Sequence, residues 1–323
     1  MRDLFASHDQ PLEVTPYRTY GTPERLEVRG RVLVRRSLPP AQSTDSWLRN
    51  VRRTVRSFLT YEMPDVEVTV ERRGETAGGR TDEEGYFRVE LPIQGAIGWT
   101  QASVQVKRAD TVQAQVLVPA PSSRYLVISD IDDTLLPTGA TRTATLIRTT
   151  LLGNAFTRAP FPGIAEFFAS LVGGAAGSED NPIFYVSSSP WNLYPFMRTF
   201  FAAHGLPVGP VILRDFGIDR QKFIHGPHED HKLHEIRRIL DTYPDLACVL
   251  VGDSGQRDPE IYATIAAEYT DRIRAIYVRE IGDEPRFDQV KALAADLPVP
   301  LVSAGTTAAF HEHARSIGLI AGS

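Results

Sequence analysis

The sequence predicts an α/β protein, a Rossmann-like parallel sheet preceded by a small β-sandwich-like domain. Three observations predict it. Up to Pro119-Ala120-Pro121 the chain reads as short strands separated by polar turns. Beyond that point apolar strand-length runs alternate with longer amphipathic segments, as in a parallel sheet covered on both faces. The length of 323 residues suits two domains, expected at 1–120 and 121–323.

In the first domain, Val66–Glu71 alternates valines with Glu67, Thr69 and Glu71, the period of a half-buried strand. Arg29–Arg35, Tyr86–Leu91, Ala102–Val106 and Val112–Val118 read as further strands. Thr81–Tyr86 (TDEEGY) is a turn feeding a strand, since Asp and Gly favour tight turns. One stretch near 44–61 breaks the pattern with an amphipathic helix. Trp47, Val51, Val55, Phe58 and Leu59 fall on one face, and Arg49, Arg52, Arg53 and Arg56 on another.

In the second domain, strands are expected at Tyr125–Ser129, Pro182–Ser187, Val211–Leu213, Ala247–Val251, Ile273–Val278 and Val299–Ser303. Helices are expected at Gly163–Val172, Asn192–His204, Lys232–Tyr243, Pro259–Tyr269 and Phe287–Ala295. Ligands of such sheets bind outside the carboxyl ends of the strands, which directs attention to the residues there.

The first strand runs into Asp130-Ile131-Asp132-Asp133-Thr134. Carboxylates this close repel one another, and a hard cation such as Mg²⁺ relieves the repulsion by taking their oxygens as ligands. The second strand ends in Ser187-Ser188-Ser189, where hydroxyls and the amides opening the next helix suit a phosphate oxygen. Another strand ends in Gly252-Asp253, with Arg257-Asp258-Pro259 leading into a helix. Lys232, about twenty residues upstream of Asp253, supplies a positive charge at a helix start.

In this order the four elements resemble the motifs of the haloacid dehalogenase superfamily of phosphotransferases: Asp130-x-Asp132-x-Thr134, Ser187, Lys232, and Gly252-Asp253 with Asp258. The wording SDIDDT, FYVSSSPWNLYPF, HKLHEIRRIL and VLVGDSGQRDPEIYATIA is further similar to the actin-patch-associated phosphatidate phosphatase catalytic domain family, over roughly Arg124 to Glu280. The TDEEGYFRVEL phrase resembles transthyretin-like and carboxypeptidase-regulatory-like sandwiches over about a dozen residues.

The superfamily resemblance implies a sheet of the haloacid dehalogenase type and a Mg²⁺-dependent phosphomonoesterase. Asp130 is then the nucleophile and Asp132 the general acid and base. Mg²⁺ is held by Asp130, Asp132 and Asp253, while Ser187 and Lys232 hold the phosphoryl oxygens. Thr134 and Asp258 are supporting residues, and Ser188 and Arg257 are candidate substrate contacts. About 28 residues separate Thr134 from Pro162, and Pro190–His231 spans about forty, so at most a minimal cap fits. An open site suits a bulky phosphate, and the family's substrate is phosphatidic acid and related lipid phosphates. A phosphoprotein, sugar phosphate or nucleic-acid end is the alternative substrate, and a phosphate-dependent binding module the alternative class.

Composition bounds the remaining readings. Apolar residues at 42% and charged residues at 23% exclude a disordered or collagenous chain, and one cysteine excludes a disulfide scaffold. The net charge is −5, with 17 basic and 16 acidic residues in 1–120 against 18 and 24 in 121–323, so no nucleic-acid partner is expected. No long apolar run or signal-like start is present, so a cytoplasmic protein is expected. Peripheral contact with an anionic membrane would run through Arg49, Arg52, Arg53 and Arg56. His225, His228, His231 and His234 have the spacing of a metal face, but Gly226-Pro227 argues against a continuous helix and favours a loop.

Overall fold

In the computed structural model, the described residues are 10–35, 63–131, 134, 160–214 and 229–322. The expected helix near 44–61 with its four arginines lies outside them, as do Asp132, Asp133, His225 and His228. The chain divides into two compact units, residues 1–118 and 119–323.

Unit 1 contains eight described strands: β1 (Leu12–Pro16), β2 (Thr19–Thr22), β3 (Arg25–Val34), β4 (Glu67–Arg72), β5 (Glu75–Arg80), β6 (Tyr86–Pro92), β7 (Gly98–Val106) and β8 (Val112–Val118). β2 pairs with both β3 and β8, joining an antiparallel β1-β3-β6 layer to an antiparallel β5-β4-β7-β8 layer. The alternating residues of these strands, among them Val28, Val32, Val68, Val70, Val89 and Val104, form one buried cluster. The Thr81–Tyr86 turn is fixed by Asp82, whose Oδ1 accepts the amides of Glu84 (3.0 Å) and Tyr86 (2.9 Å). Gly85 sits at φ 83°, and a side chain there would meet the Val32 carbonyl.

Unit 2 contains a six-stranded, all-parallel sheet: β9 (Tyr125–Ser129), β10 (Ile183–Pro190), β11 (Val211–Arg214), β12 (Ala247–Asp253), β13 (Ile273–Arg279) and β14 (Leu301–Ala304). Its order is β11-β10-β9-β12-β13-β14, so the winding reverses between β9 and β12. The helices are α1 (Ile164–Gly173), α2 (Tyr194–Ala203), α3 (Glu229–Thr242), α4 (Asp258–Glu268), α5 (Glu284–Ala295) and α6 (Thr307–Ser316). They cover both faces. Adjacent residues of a strand point to opposite sides. Thus Tyr185 packs on Phe168 of α1 and Phe201 of α2, while Phe184 packs on Tyr243 at the end of α3. On β13, Tyr277 meets Phe167 of α1 and Phe310 of α6.

The central strands are apolar up to their carboxyl ends because neither face reaches water. All five residues of β9 are buried, and in β12 Cys248–Asp253 are. Burial pushes the Cys248 thiol above its ordinary range. Helix α1 buries Ile164, Phe167, Phe168 and Leu171, an i, i+3, i+4, i+7 stripe, and starts after Gly163 at φ 79°.

Several boundaries differ from expectation. The single helix expected at Asn192–His204 is a 3₁₀ turn, Trp191–Leu193, followed by α2 with Pro195 in its first turn. The expected helix from Phe287 begins at Glu284, because the Asp283 side chain caps it by accepting the Arg286 amide. Strands β1, β2 and β5 and helix α6 were not expected. No described helix is long and apolar enough to cross a membrane.

Candidate active site

The candidate site is built at the carboxyl ends of the two strands flanking the reversal, where connections leave in opposite directions and open a crevice. Asp130 follows β9, and its amide donates to the Val251 carbonyl of β12 (2.9 Å), extending the ladder by one rung. Asp253 closes β12, and Asp258 opens α4. Lys232 lies in the first turn of α3. The four side chains converge although they span 129 positions of sequence numbering, from 130 to 258.

Lys232 Nζ lies 2.7 Å from Asp130 Oδ1 and 2.7 Å from Asp258 Oδ1. Burial alone would lower the lysine pKa, but the two carboxylates outweigh it and hold the ammonium above its ordinary value. Asp258 Oδ2 accepts the Asp253 amide at 3.3 Å, so both its oxygens are committed, one to the lysine and one to the backbone. Asp253 Oδ1 accepts the amides of Gly255 (2.7 Å) and Gln256 (3.0 Å). Its other oxygen turns toward Asp130: the Thr134 hydroxyl lies 3.3 Å from Asp253 Oδ2 and 3.4 Å from Asp130 Oδ2.

Asp130, Asp253 and Asp258 are at most 1% exposed. Each offers an oxygen within 4.8 Å of the others, so the trio has the composition and spacing of a cation site. One ammonium faces three buried carboxylates, an imbalance that a hard divalent cation relieves. Asp130 Oδ2 and Asp253 Oδ2 are the oxygens best placed for such an ion, because those of Asp258 are already engaged.

The structure therefore brings together Asp130, Thr134, Lys232, Asp253 and Asp258. Ser187 is fully buried on β10, two residues beyond the Tyr185–Ser129 pairing with β9, and its Oγ accepts the Ser189 amide at 2.9 Å. Ser188 is half-buried, and Arg257 is exposed at the N-cap of α4. Asp258, rather than Pro259, is the first residue of α4, and its side chain turns to Lys232 instead of capping the helix.

Three supporting residues carry no signal in the sequence. Arg286, on α5, donates to the carbonyls of Ser254 (2.7 Å) and Gln256 (2.8 Å) and forks onto Glu260 (2.6 and 3.0 Å), tethering the loop whose amides hold Asp253. The Ser254 hydroxyl exchanges hydrogen bonds with the Ile281 backbone, donating to its carbonyl and accepting its amide, both at 2.8 Å. Tyr262 donates to the Val251 carbonyl at 2.9 Å and lies against Gly252, where a Cβ would stand 2.6 Å from Asp258 Oδ2.

Residues 125–280 match the family model of the phosphatidate phosphatase APP1 catalytic domain. That segment contains every side chain of the cluster. The chain is 28% identical over 255 residues to phosphatidate phosphatase APP1 of Saccharomyces cerevisiae, an alignment covering 73% of this chain and 42% of the yeast protein. It is 30% identical over 156 residues to an uncharacterized protein of Schizosaccharomyces pombe, covering 48% of this chain and 25% of that one. The chain thus spans less than half the length of either relative. Among solved structures, a carbohydrate acetylesterase from Xanthomonas citri aligns over 93% of this chain and 72% of its own, at 14% identity and a TM-score of 0.33, which carries no argument about fold or activity. The family-model match lies wholly within unit 2.

Proposed function

We propose that unit 2 is a Mg²⁺-dependent phosphomonoesterase of the haloacid dehalogenase type that acts on phosphatidic acid or related lipid phosphates. The catalytic-domain match and the yeast phosphatidate phosphatase support a phosphatase enzyme. The observation that carries the mechanism is Lys232 bridging Asp130 and Asp258, with Asp253 beside them.

In this reading an Asp130 oxygen attacks the phosphorus in line as the ester P–O bond breaks, giving an aspartyl-phosphate and an alkoxide that takes its proton from Asp132. Water then attacks the same phosphorus. Asp132 takes up a proton from it, the acyl-phosphate P–O bond breaks, and inorganic phosphate leaves with Asp130 again a carboxylate. Lys232 presents its charge to the incoming phosphoryl oxygens, and Ser187 adds a hydroxyl from the neighbouring strand. Asp258 fixes the lysine. Asp130, the Asp132 main-chain carbonyl and Asp253 would hold Mg²⁺, which when bound offsets the repulsion between these carboxylates and the phosphate.

The test is a phosphatase panel with phosphatidic acid in mixed micelles against water-soluble phosphate esters, in Mg²⁺ and in chelator. Preference for the lipid with loss of turnover in chelator is expected. Faster turnover of a soluble ester would overturn the substrate, and chelator-resistant turnover would overturn the metal.

A further inference from the structure

We propose that unit 1 carries a docking site for anionic phospholipid surfaces in the cleft between the β4–β5 turn and the segment 95–99. The cleft is open to solvent and has a volume of about 590 Å³. Among the described residues three large hydrophobic side chains are exposed, and two of them, Ile97 at 58% and Trp99 at 39%, line this one cleft. Soluble surfaces scatter such residues singly, so their pairing calls for a partner. Trp with an aliphatic neighbour is the composition that settles at a bilayer's interfacial zone.

The opposite wall supplies the complementary charge. Arg25, Arg29, Arg35, Arg80 and Arg88 of unit 1 all pair with carboxylates. The side chains of Arg72 and Arg73, which line the cleft, take part in no ion pair or hydrogen bond among the described residues. Glu71 also lines the cleft, its carboxylate accepting the Gly74 amide at 3.1 Å, so two cations stand against one carboxylate in the lining. The turn Arg73-Gly74 has positive φ at both positions, 51° and 90°, the type I′ geometry that favours Asn-Gly. An arginine at its first position keeps a cation at the tip against local preference. The floor, with Gln101, Ser103 and Gln113, is polar and uncharged, suited to the ester and hydroxyl groups of a lipid headgroup.

This inference rests on the lipid-phosphatase reading for its biological sense, but its test is separate. The full chain is sedimented with phosphatidylcholine vesicles with and without phosphatidic acid, as wild type and as the Arg72→Glu/Arg73→Glu and Ile97→Ser/Trp99→Ser pairs. Thermal unfolding and hydrolysis of a soluble aryl phosphate are measured in parallel. Salt-sensitive binding of the wild type to the anionic vesicles is expected, weakened about tenfold or more in each pair, with unfolding and aryl-phosphate hydrolysis unchanged. Undiminished vesicle binding by folded variants overturns the site. So does equal binding to neutral vesicles, or absent vesicle binding with capture of a single-stranded oligonucleotide through the same residues. If vesicles bind as expected but phosphatidic acid is not hydrolysed, the substrate assignment fails and the docking site stands.

Discussion

The two units handle charge in opposite ways. In unit 1, most ion pairs lie at the surface and are nearly balanced: Arg25 and Glu90 meet at 3.0 Å with side chains 59% and 42% exposed, and Arg80 and Asp65 pair with side chains 58% and 77% exposed. At the edge of unit 2, three carboxylates and one ammonium are gathered with side chains at most 5% exposed. Water screens the first arrangement, so it contributes little to stability and implies no chemistry. Burial magnifies the second, and folding accepts a net negative centre that an apolar replacement would relieve. Such a concentration of buried charge is what the proposed cation and anionic substrate would meet.

The sharpest way to break this contrast is Asp130→Asn. It preserves shape and removes one carboxylate, and phosphatase turnover should fall by about three orders of magnitude or more. Retained turnover would remove Asp130 as nucleophile. Lys232→Met comes next. Leaving buried carboxylates without their cation should cost about 3–5 kcal/mol in denaturant unfolding, with part of the loss recovered by added Mg²⁺. Because the folded lysine pKa is raised, its contribution is present below the ordinary value of 10.5 and is lost only as pH climbs through the higher folded value. The wild-type advantage in Tm should therefore persist from neutral pH to about 9. A difference that vanished across that range would contradict the ion pairs.

Gly252→Ala probes the packing beneath the cluster. Its Cβ would fall 2.6 Å from Asp258 Oδ2 and 2.7 Å from the Tyr262 ring. A loss of about 1–3 kcal/mol and reduced turnover are expected, and an unaltered Tm would mean that the aspartate and ring yield freely. Arg25→Ala in unit 1 is the control with the smallest effect, a Tm shift within error. A large shift there would erase the distinction between the units.

What could be read from the sequence follows from where each element draws its stability. Tyr125–Ser129 was legible residue for residue because a strand buried on both faces is written as an apolar run, here Tyr125–Ile128 closed by one small serine. The β5 strand, ETAGGR, carries no such pattern, since it exists by antiparallel pairing to β4. Helix α6 buries only Thr307, Phe310 and Ala314, too sparse a stripe to stand out. In the site, carboxylates at strand ends were visible as motifs. Their supports were not. Arg286 reaches the Asp253 loop from thirty positions downstream of Gln256, and Tyr262 contributes one hydroxyl and one ring edge, contacts that only the tertiary fold creates.

Cys248 lies on the strand that ends in Asp253, and it is the chain's single cysteine. Alkylating reagents consume thiolate, and burial of this thiol suppresses both its ionisation and its access. Its labelling rate therefore reports the opening of β12, turning a silent core residue into a native clock for how often the strand beneath the carboxylates comes apart.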